Sequence, residues 1–148
     1  MILYLDTSAL VKRYFQEPYS DGVLSRWKSA TQIVTSSVAY AETMASMYRK
    51  KREADLADTL IRNMADSIRR EWESFIRVEA NGELNGYIDR VVERYPLRGF
   101  DAIHLASAIV VHERLPEDFV FACFDKRLAC AARSEGLETF PPSPCCGG

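Results

Sequence analysis

The hydrophobic pattern changes character along the chain, and each change marks an element. Apolar or β-branched runs at residues 2–5, at 32–35 after its leading Gln32, and at 119–124 lack the alternation of a strand with one wet face. They read as buried strands of a parallel sheet. Residues 75–78 and 137–140 read as further short strands. Between them, helical stretches are predicted at 9–15, 20–27, 38–51, 55–73, 82–94, 100–113 and 126–134. Pro18 and Pro96 close two of these, and Gly136 stands where a helix ends on a left-handed residue. Ser36 and Ser37 are candidate caps for the helix from 38, and Asp125 for the helix to 134. The 100–113 segment is apolar on nearly every face, which predicts a central helix. Strands alternating with helices give an α/β domain of three α/β/α layers around a central, mainly parallel sheet. One domain is expected over residues 1–140, with a frayed tail at 141–148.

In such sheets ligands sit at the carboxyl ends of the strands. Asp6 follows the first run, Asp125 follows the late apolar run, and Asp101 opens the central helix. Taken singly, each also fits an N-cap or a favourable charge in a first helical turn. Glu42 is different. Val38, Ala41, Ala45 and Tyr48 lie at helical spacing and predict an apolar stripe with Glu42 on it. A carboxylate there is costly unless it pairs with a core Arg or Lys or coordinates a metal. Four converging carboxylates would repel and raise one another's pKa values. A hard divalent cation resolves the conflict, and Mg²⁺ and Mn²⁺ favour such oxygens. Ions held this way can activate water for in-line displacement at a phosphodiester.

A length of 148 residues suits one domain with its own core. The net charge of −2 disfavours a purely electrostatic nucleic-acid binder, but leaves a nuclease open. Cysteines 123, 130, 145 and 146 form neither a disulfide framework nor a zinc pattern, so a reducing, cytoplasmic location is expected. The N-terminal apolar run is too short for a signal peptide, and no run approaches the ~20 apolar residues of a membrane helix. His104 and His112 lack the H-E-x-x-H spacing and read as packed structural residues. Lys12 and Arg13, one to two turns from Asp6, are the better substrate-contact candidates. The run Arg49-Lys50-Lys51-Arg52 fits a solvated helix end, with phosphate contact as the alternative. Arg98 is a candidate ion-pair partner for Asp101. An aspartyl phosphatase is excluded, because its Asp-x-Asp motif would need an acid at position 8, which is Ser8.

Four segments together resemble the PIN domain. They are Tyr-Leu-Asp-Thr-Ser-Ala-Leu at 4–10, Ser-Val-Ala-Tyr-Ala-Glu at 37–42, Phe-Asp-Ala-Ile-His-Leu-Ala-Ser-Ala at 100–108, and Phe-Asp-Lys-Arg-Leu at 124–128 with its continuation to 137. The resemblance implies a metal-dependent ribonuclease that uses Mg²⁺ or Mn²⁺, with Asp6, Glu42, Asp101 and Asp125 as catalytic and metal-binding acids. It implies supporting roles for Thr7 or Ser8 in placing an attacking water. It further implies likeness to VapC-type toxins, which are commonly homodimers held by a cognate antitoxin, and RNA as substrate. The alternative is a non-catalytic module of the same fold that binds RNA or protein. One departure stands out: the family usually has Thr or Ser where this chain has Cys123, and a thiol is a weak hydrogen-bond partner for placing Asp125.

Overall fold

Strand β1 (Ile2–Leu5) is fully buried and occupies the middle of the sheet. The computed structural model describes residues 1–142; most of the 141–148 tail, including Cys145 and Cys146, lies outside them. Around β1 stand β2 (Gln32–Ser36), β3 (Ile76–Val78), β4 (Phe119–Ala122) and β5 (Glu138–Phe140), all parallel, in the order β3-β2-β1-β4-β5. Parallel pairing buries both faces, which is why β1 and β4 read as continuous apolar runs.

Alternate side chains of β1 serve different layers. Ile2 and Tyr4 pack with α5 (Gly82–Arg94), α6 (Gly99–Arg114) and α7 (Lys126–Ser134), through Val91, Leu105 and Leu128. Leu3 and Leu5 pack on the other face, with Leu10 of α1 (Thr7–Tyr14), Val23 of α2 (Ser20–Ser29) and Ala39 of α3 (Ala39–Ala54). Helix α4 (Asp58–Trp72) covers α3 through Ile61, Ala65 and Ile68 against Met47. The three-layer α/β/α expectation therefore holds, and α6 is the most buried helix, with residues 104–111 inside.

Several boundaries differ from the sequence reading for identifiable reasons. Helix α3 runs on to Ala54 and ends where Asp55 turns left-handed, at φ 48°. Strand β4 stops at Ala122, because Phe124 N–H turns to donate to Ser8 Oγ at 3.0 Å. Ser36 and Ser37 do not cap α3. Its N-cap position is Val38, and Ser36 Oγ accepts the Val38 N–H instead. Gly136, at φ 86°, does end α7, with Gly136 N–H and Leu137 N–H donating to the carbonyls of Arg133 and Ala132.

The apolar stripe expected on α3 is corrected. Ala39, Thr43 and Met47 face inward, whereas Ala41, Ala45 and Tyr48 are exposed. Alanine, methionine and tyrosine occur around most of this helix, so periodicity alone does not single out one face. His112 is likewise exposed, beside Phe119, and is not a packed core histidine. Cys123 is a buried free thiol. No helix among the described residues is long and apolar enough to cross a membrane.

Candidate active site

The chain leaves β1 toward β2 on one side and later returns to β4 on the other, so the sheet reverses its winding at β1. Such a switch point opens a crevice at the carboxyl ends of the flanking strands. Asp6 follows β1 directly, and its N–H donates to Ala122 O of β4 at 3.2 Å. Asp125 follows β4, Glu42 lies in the first turn of the helix after β2, and Asp101 lies in the first turn of α6. The topology thus carries all four sequence-predicted acids to one end of the sheet.

Asp6 is the buried member, at 5% exposure. It is the N-cap of α1: its Oδ1 accepts from Ala9 N–H at 2.9 Å and from Ser8 Oγ at 2.7 Å. No hydrogen bond among the described residues uses Oδ2. Asp125 is a cap as well, with Oδ1 accepting from Leu128 N–H at 2.8 Å. The capping and functional readings of these residues are therefore compatible, because a cap fixes one oxygen and leaves the other available. Cys123 does not reach the Asp125 carboxylate; its Sγ donates to Asp125 O at 3.3 Å. Asp125 is thus positioned by its own helix, which meets the concern raised by the missing hydroxyl.

Glu42 flanks the buried stripe of α3 and is partly shielded, with a side chain 26% exposed. Its partner is neither a core Arg nor a core Lys. Thr7 Oγ1 donates to Glu42 Oε1 at 2.6 Å, and His104 Nε2 meets the same oxygen at 2.9 Å. His104 is buried at 2% exposure, and its Nδ1 lies 2.9 Å from the Tyr4 hydroxyl. The tautomer that satisfies both neighbours donates from Nε2 to Glu42 and accepts the Tyr4 hydroxyl at Nδ1. A chain of polar groups therefore runs from the core through Tyr4 and His104 to Glu42. His104 is a site residue that the sequence reading missed. Its position one helical turn after Asp101 was the available signal, because residues three apart share a face.

The electrostatics couple the acids. Burial raises the Asp6 carboxyl pKa most; His104, Ser8 and the Ala9 N–H pull it down, and Asp101 adds to the rise. Asp101 is also raised, by burial first and then by Asp125 and Glu42, against His104 and Arg98. Burial pushes Glu42 up as well, but hydrogen bonds from His104 and Thr7, with the charge His104 carries when protonated, leave it lowered. Burial and then Asp6, Asp125 and Asp101 raise the Cys123 thiol. Like charges acting on one another in this way mark a shared site.

Two clefts are lined by these acids. One, of about 500 Å³, contains Thr7, Lys12, Glu17, Glu42, Arg49 and Lys50. The other, of about 400 Å³, contains Arg98, Asp101, Asp125, Lys126 and Arg127. Lys12 and Lys50 in the first are both held by Glu17, at 3.0 and 2.6 Å. Arg13 lines neither cleft. It pairs with Glu71 at 3.1 Å, and its guanidinium lies 5.3 Å from the Trp27 ring centroid. Helical geometry explains this, since consecutive residues of α1 point about 100° apart. Arg98 lines the second cleft without a salt bridge to Asp101 among the described residues.

A hard divalent cation suits this donor set, which is made of carboxylate oxygens with no thiolate among them. Among the described residues, no three His, Cys, Asp or Glu side chains are gathered tightly enough to hold an ion as they stand. The fit therefore rests on donor chemistry and on the raised carboxyl groups of Asp6 and Asp101, whose mutual repulsion a cation would relieve.

Comparison with known proteins agrees with the fold. The family model described as PIN domain matches residues 3–133. Ribonuclease VapC49 of Mycobacterium tuberculosis is 31% identical over 144 residues, covering 95% of each chain. Among solved structures, FitAcB from Neisseria gonorrhoeae superposes with a TM-score of 0.69 at 15% identity, covering 95% of this chain and 96% of that one. A toxin-antitoxin complex from Klebsiella pneumoniae gives a TM-score of 0.62 at 19% identity, over 86% of this chain and 90% of that one. With a family match over nearly the whole chain and a relative of this identity and coverage, the chain belongs to the PIN domain family.

Proposed function

We propose that this protein is a metal-dependent endoribonuclease of the VapC toxin kind. The observation that carries the reading is the convergence of Asp6, Glu42, Asp101 and Asp125 at the switch point of the sheet, with carboxyl groups that perturb one another. The curated relative VapC49 carries the name ribonuclease, and the Klebsiella neighbour is a toxin-antitoxin complex. By the same reading the substrate is RNA, the setting cytoplasmic, the chain a homodimer and its regulator a cognate antitoxin. Light scattering on the purified chain checks the dimer.

In this mechanism Asp6, Glu42, Asp101 and Asp125 are the ligands for Mg²⁺ or Mn²⁺. When bound, such an ion supplies charge neutralisation at the phosphodiester and polarises water for attack. The remaining work belongs to the protein. Asp6 and Asp125 are fixed by their helix caps, and Ser8 ties Asp6 to the end of β4 by donating to its carboxylate while accepting Phe124 N–H. Thr7 and His104 hold Glu42 in one orientation. Arg49 on one side, and Arg98, Lys126 and Arg127 on the other, take no ion pair among the described residues and are open to phosphate oxygens. The direct test is cleavage of RNA by the purified protein with Mg²⁺ or Mn²⁺ and its loss in EDTA. Binding of equal strength with and without metal, and no cutting, would make the protein a scaffold instead.

Glu17 modulates this cleft. Burial raises its pKa, but the Lys50 and Lys12 ammonium groups more than offset that and leave it lowered, so it stays ionised and occupies both lysines. Glu17→Gln removes one negative charge and releases two positive ones toward the substrate. RNA affinity at fixed low salt is expected to rise several-fold, with a steeper salt dependence, since each added phosphate contact releases a counterion. A filter-binding series across salt concentrations reads both; unchanged affinity and slope would show that Lys12 and Lys50 lie off the RNA path.

A further inference from the structure

A third hollow, of about 250 Å³, opens beside Asp125. Tyr19, Phe124, Asp125, Lys126, Ala129 and Pro141 are among its walls. It shares Asp125 and Lys126 with the cleft of Arg98 and Asp101, so the two are neighbours. We propose, resting on the nuclease reading, that this hollow is a nucleobase subsite for single-stranded RNA, with Tyr19 as its stacking surface and Lys126 as its phosphate contact.

Tyr19 carries the argument. It is 59% exposed, among the most exposed large hydrophobic residues of the protein. Its backbone is left-handed, at φ 72° and ψ 0°, a conformation that costs a residue with a Cβ roughly 1 kcal/mol or more. The conformation is that of the third residue of a Pro18-Tyr19 β-turn, closed by Ser20 N–H on Glu17 O at 3.1 Å, and Tyr19 holds the N-cap position of α2 without a side-chain cap bond, so its ring is left to point outward. Its ring rests on Phe124, with centroids 5.5 Å apart and planes tilted by 43°, at the wall of the hollow.

The turn that presents Tyr19 is fixed on both sides. Ser20 Oγ donates to Phe15 O and accepts Glu17 N–H, both at 2.9 Å, and Glu17 is anchored by Lys12 and Lys50. Phe124 beneath it is held by Phe140, edge to face at 6.1 Å, and by the Lys12 ammonium 4.5 Å from its centroid. An exposed aromatic on a rigid mount, next to a lysine with no ion pair among the described residues and adjoining an acidic site, is suited to a stacked base and its phosphate. The hollow's apolar walls at Ala129 and Pro141 offer little for reading base edges. The subsite therefore selects an unpaired strand rather than a sequence.

Tyr19→Gly separates this role from folding, because glycine takes the left-handed conformation without strain and removes only the ring. In EDTA, wild type and Tyr19→Gly are compared for binding to a short single-stranded RNA and to the duplex of the same sequence. KM is then measured with Mg²⁺. Loss of one stacked base, worth about 1–3 kcal/mol, predicts single-strand affinity lower by about tenfold or more and KM higher to match, with duplex affinity little changed and thermal stability equal or higher. Tyr19→Phe is expected to retain wild-type affinity. If wild type cuts RNA and Tyr19→Gly binds the single strand equally well, the subsite is overturned while the nuclease reading survives. If wild type neither binds nor cuts RNA, both fall.

Discussion

Replacing Asp101 by Asn is expected to cut RNA cleavage by roughly a thousandfold while making the metal-free protein more stable. The two effects share one cause. Asp101 sits at the start of α6, where its charge meets those of Asp125 and Glu42 and where burial already disfavours ionisation. Under the proposed mechanism catalysis needs the charge, since a cation at a phosphodiester contributes several kcal/mol of transition-state stabilisation and each ~1.4 kcal/mol is tenfold in rate. The metal-free fold is burdened by the same charge. Asp6 and Asp101 both have raised carboxyl pKa values, so the folded protein binds their protons more tightly than the unfolded chain does. Stability from these groups is therefore lost as pH rises from the ordinary Asp value near 3.8 through the raised folded-state values. Glu42 and Glu17 have lowered pKa values and act in the opposite sense, losing stabilisation as pH falls through their folded values. Asp101→Asn removes one contributor to the high-pH loss. Thermal unfolding in EDTA at pH 5 and pH 8 should show a higher Tm for the variant, with the larger gain at pH 8. A lower Tm at pH 8 would mean that Asp101 is chiefly a structural charge at the helix start.

His104→Ala should be the most damaging single change in which no acid is altered. It removes a fully buried ring and deletes two hydrogen bonds, to the Tyr4 hydroxyl at 2.9 Å and to Glu42 Oε1 at 2.9 Å. The cavity and the lost buried hydrogen bond together cost about 2–4 kcal/mol. Glu42 also loses one of the two donors that fix it, keeping only Thr7 Oγ1 at 2.6 Å. Removal of an orienting partner of a metal-binding group commonly costs about 10–100-fold in metal affinity or activity. Tyr4→Phe separates the contributions, since it keeps the imidazole and deletes only the distal hydrogen bond, for about 1 kcal/mol. Urea unfolding in EDTA combined with Mn²⁺ titration reads both. If His104→Ala binds Mn²⁺ as tightly as wild type, His104 supports the core alone and Glu42 needs no orientation from it.

How much of this was legible beforehand depends on how local the signal is. Asp6 and Asp125 were readable because the apolar run before each and the helix after each lie within a few residues of sequence. The parallel sheet was readable because burial on both faces leaves no alternation in β1 or β4. The inward face of α3 was not, because Ala41, Ala45 and Tyr48 compete with Ala39, Thr43 and Met47 for the same periodicity. Only packing against α1 and α4 decides between them. The stripe that periodicity predicts for Glu42 is not the buried one, yet its side chain is held by two donors near the sheet ends. Its partner was invisible in sequence, since His104 lies sixty-two residues away and meets it only when α6 docks against the sheet. Arg13 shows the converse: near Asp6 in sequence, it faces Glu71 and Trp27, because one helical position turns it away from the cleft.

The most direct test of the central claim is a crystal of the protein soaked in Mn²⁺, with the ion located by its anomalous signal. The account predicts a peak at the switch point, within about 2.0–2.3 Å of carboxylate oxygens from at least two of Asp6, Glu42, Asp101 and Asp125. Saturating Mn²⁺ with no peak there, or a peak held by other residues, would contradict it.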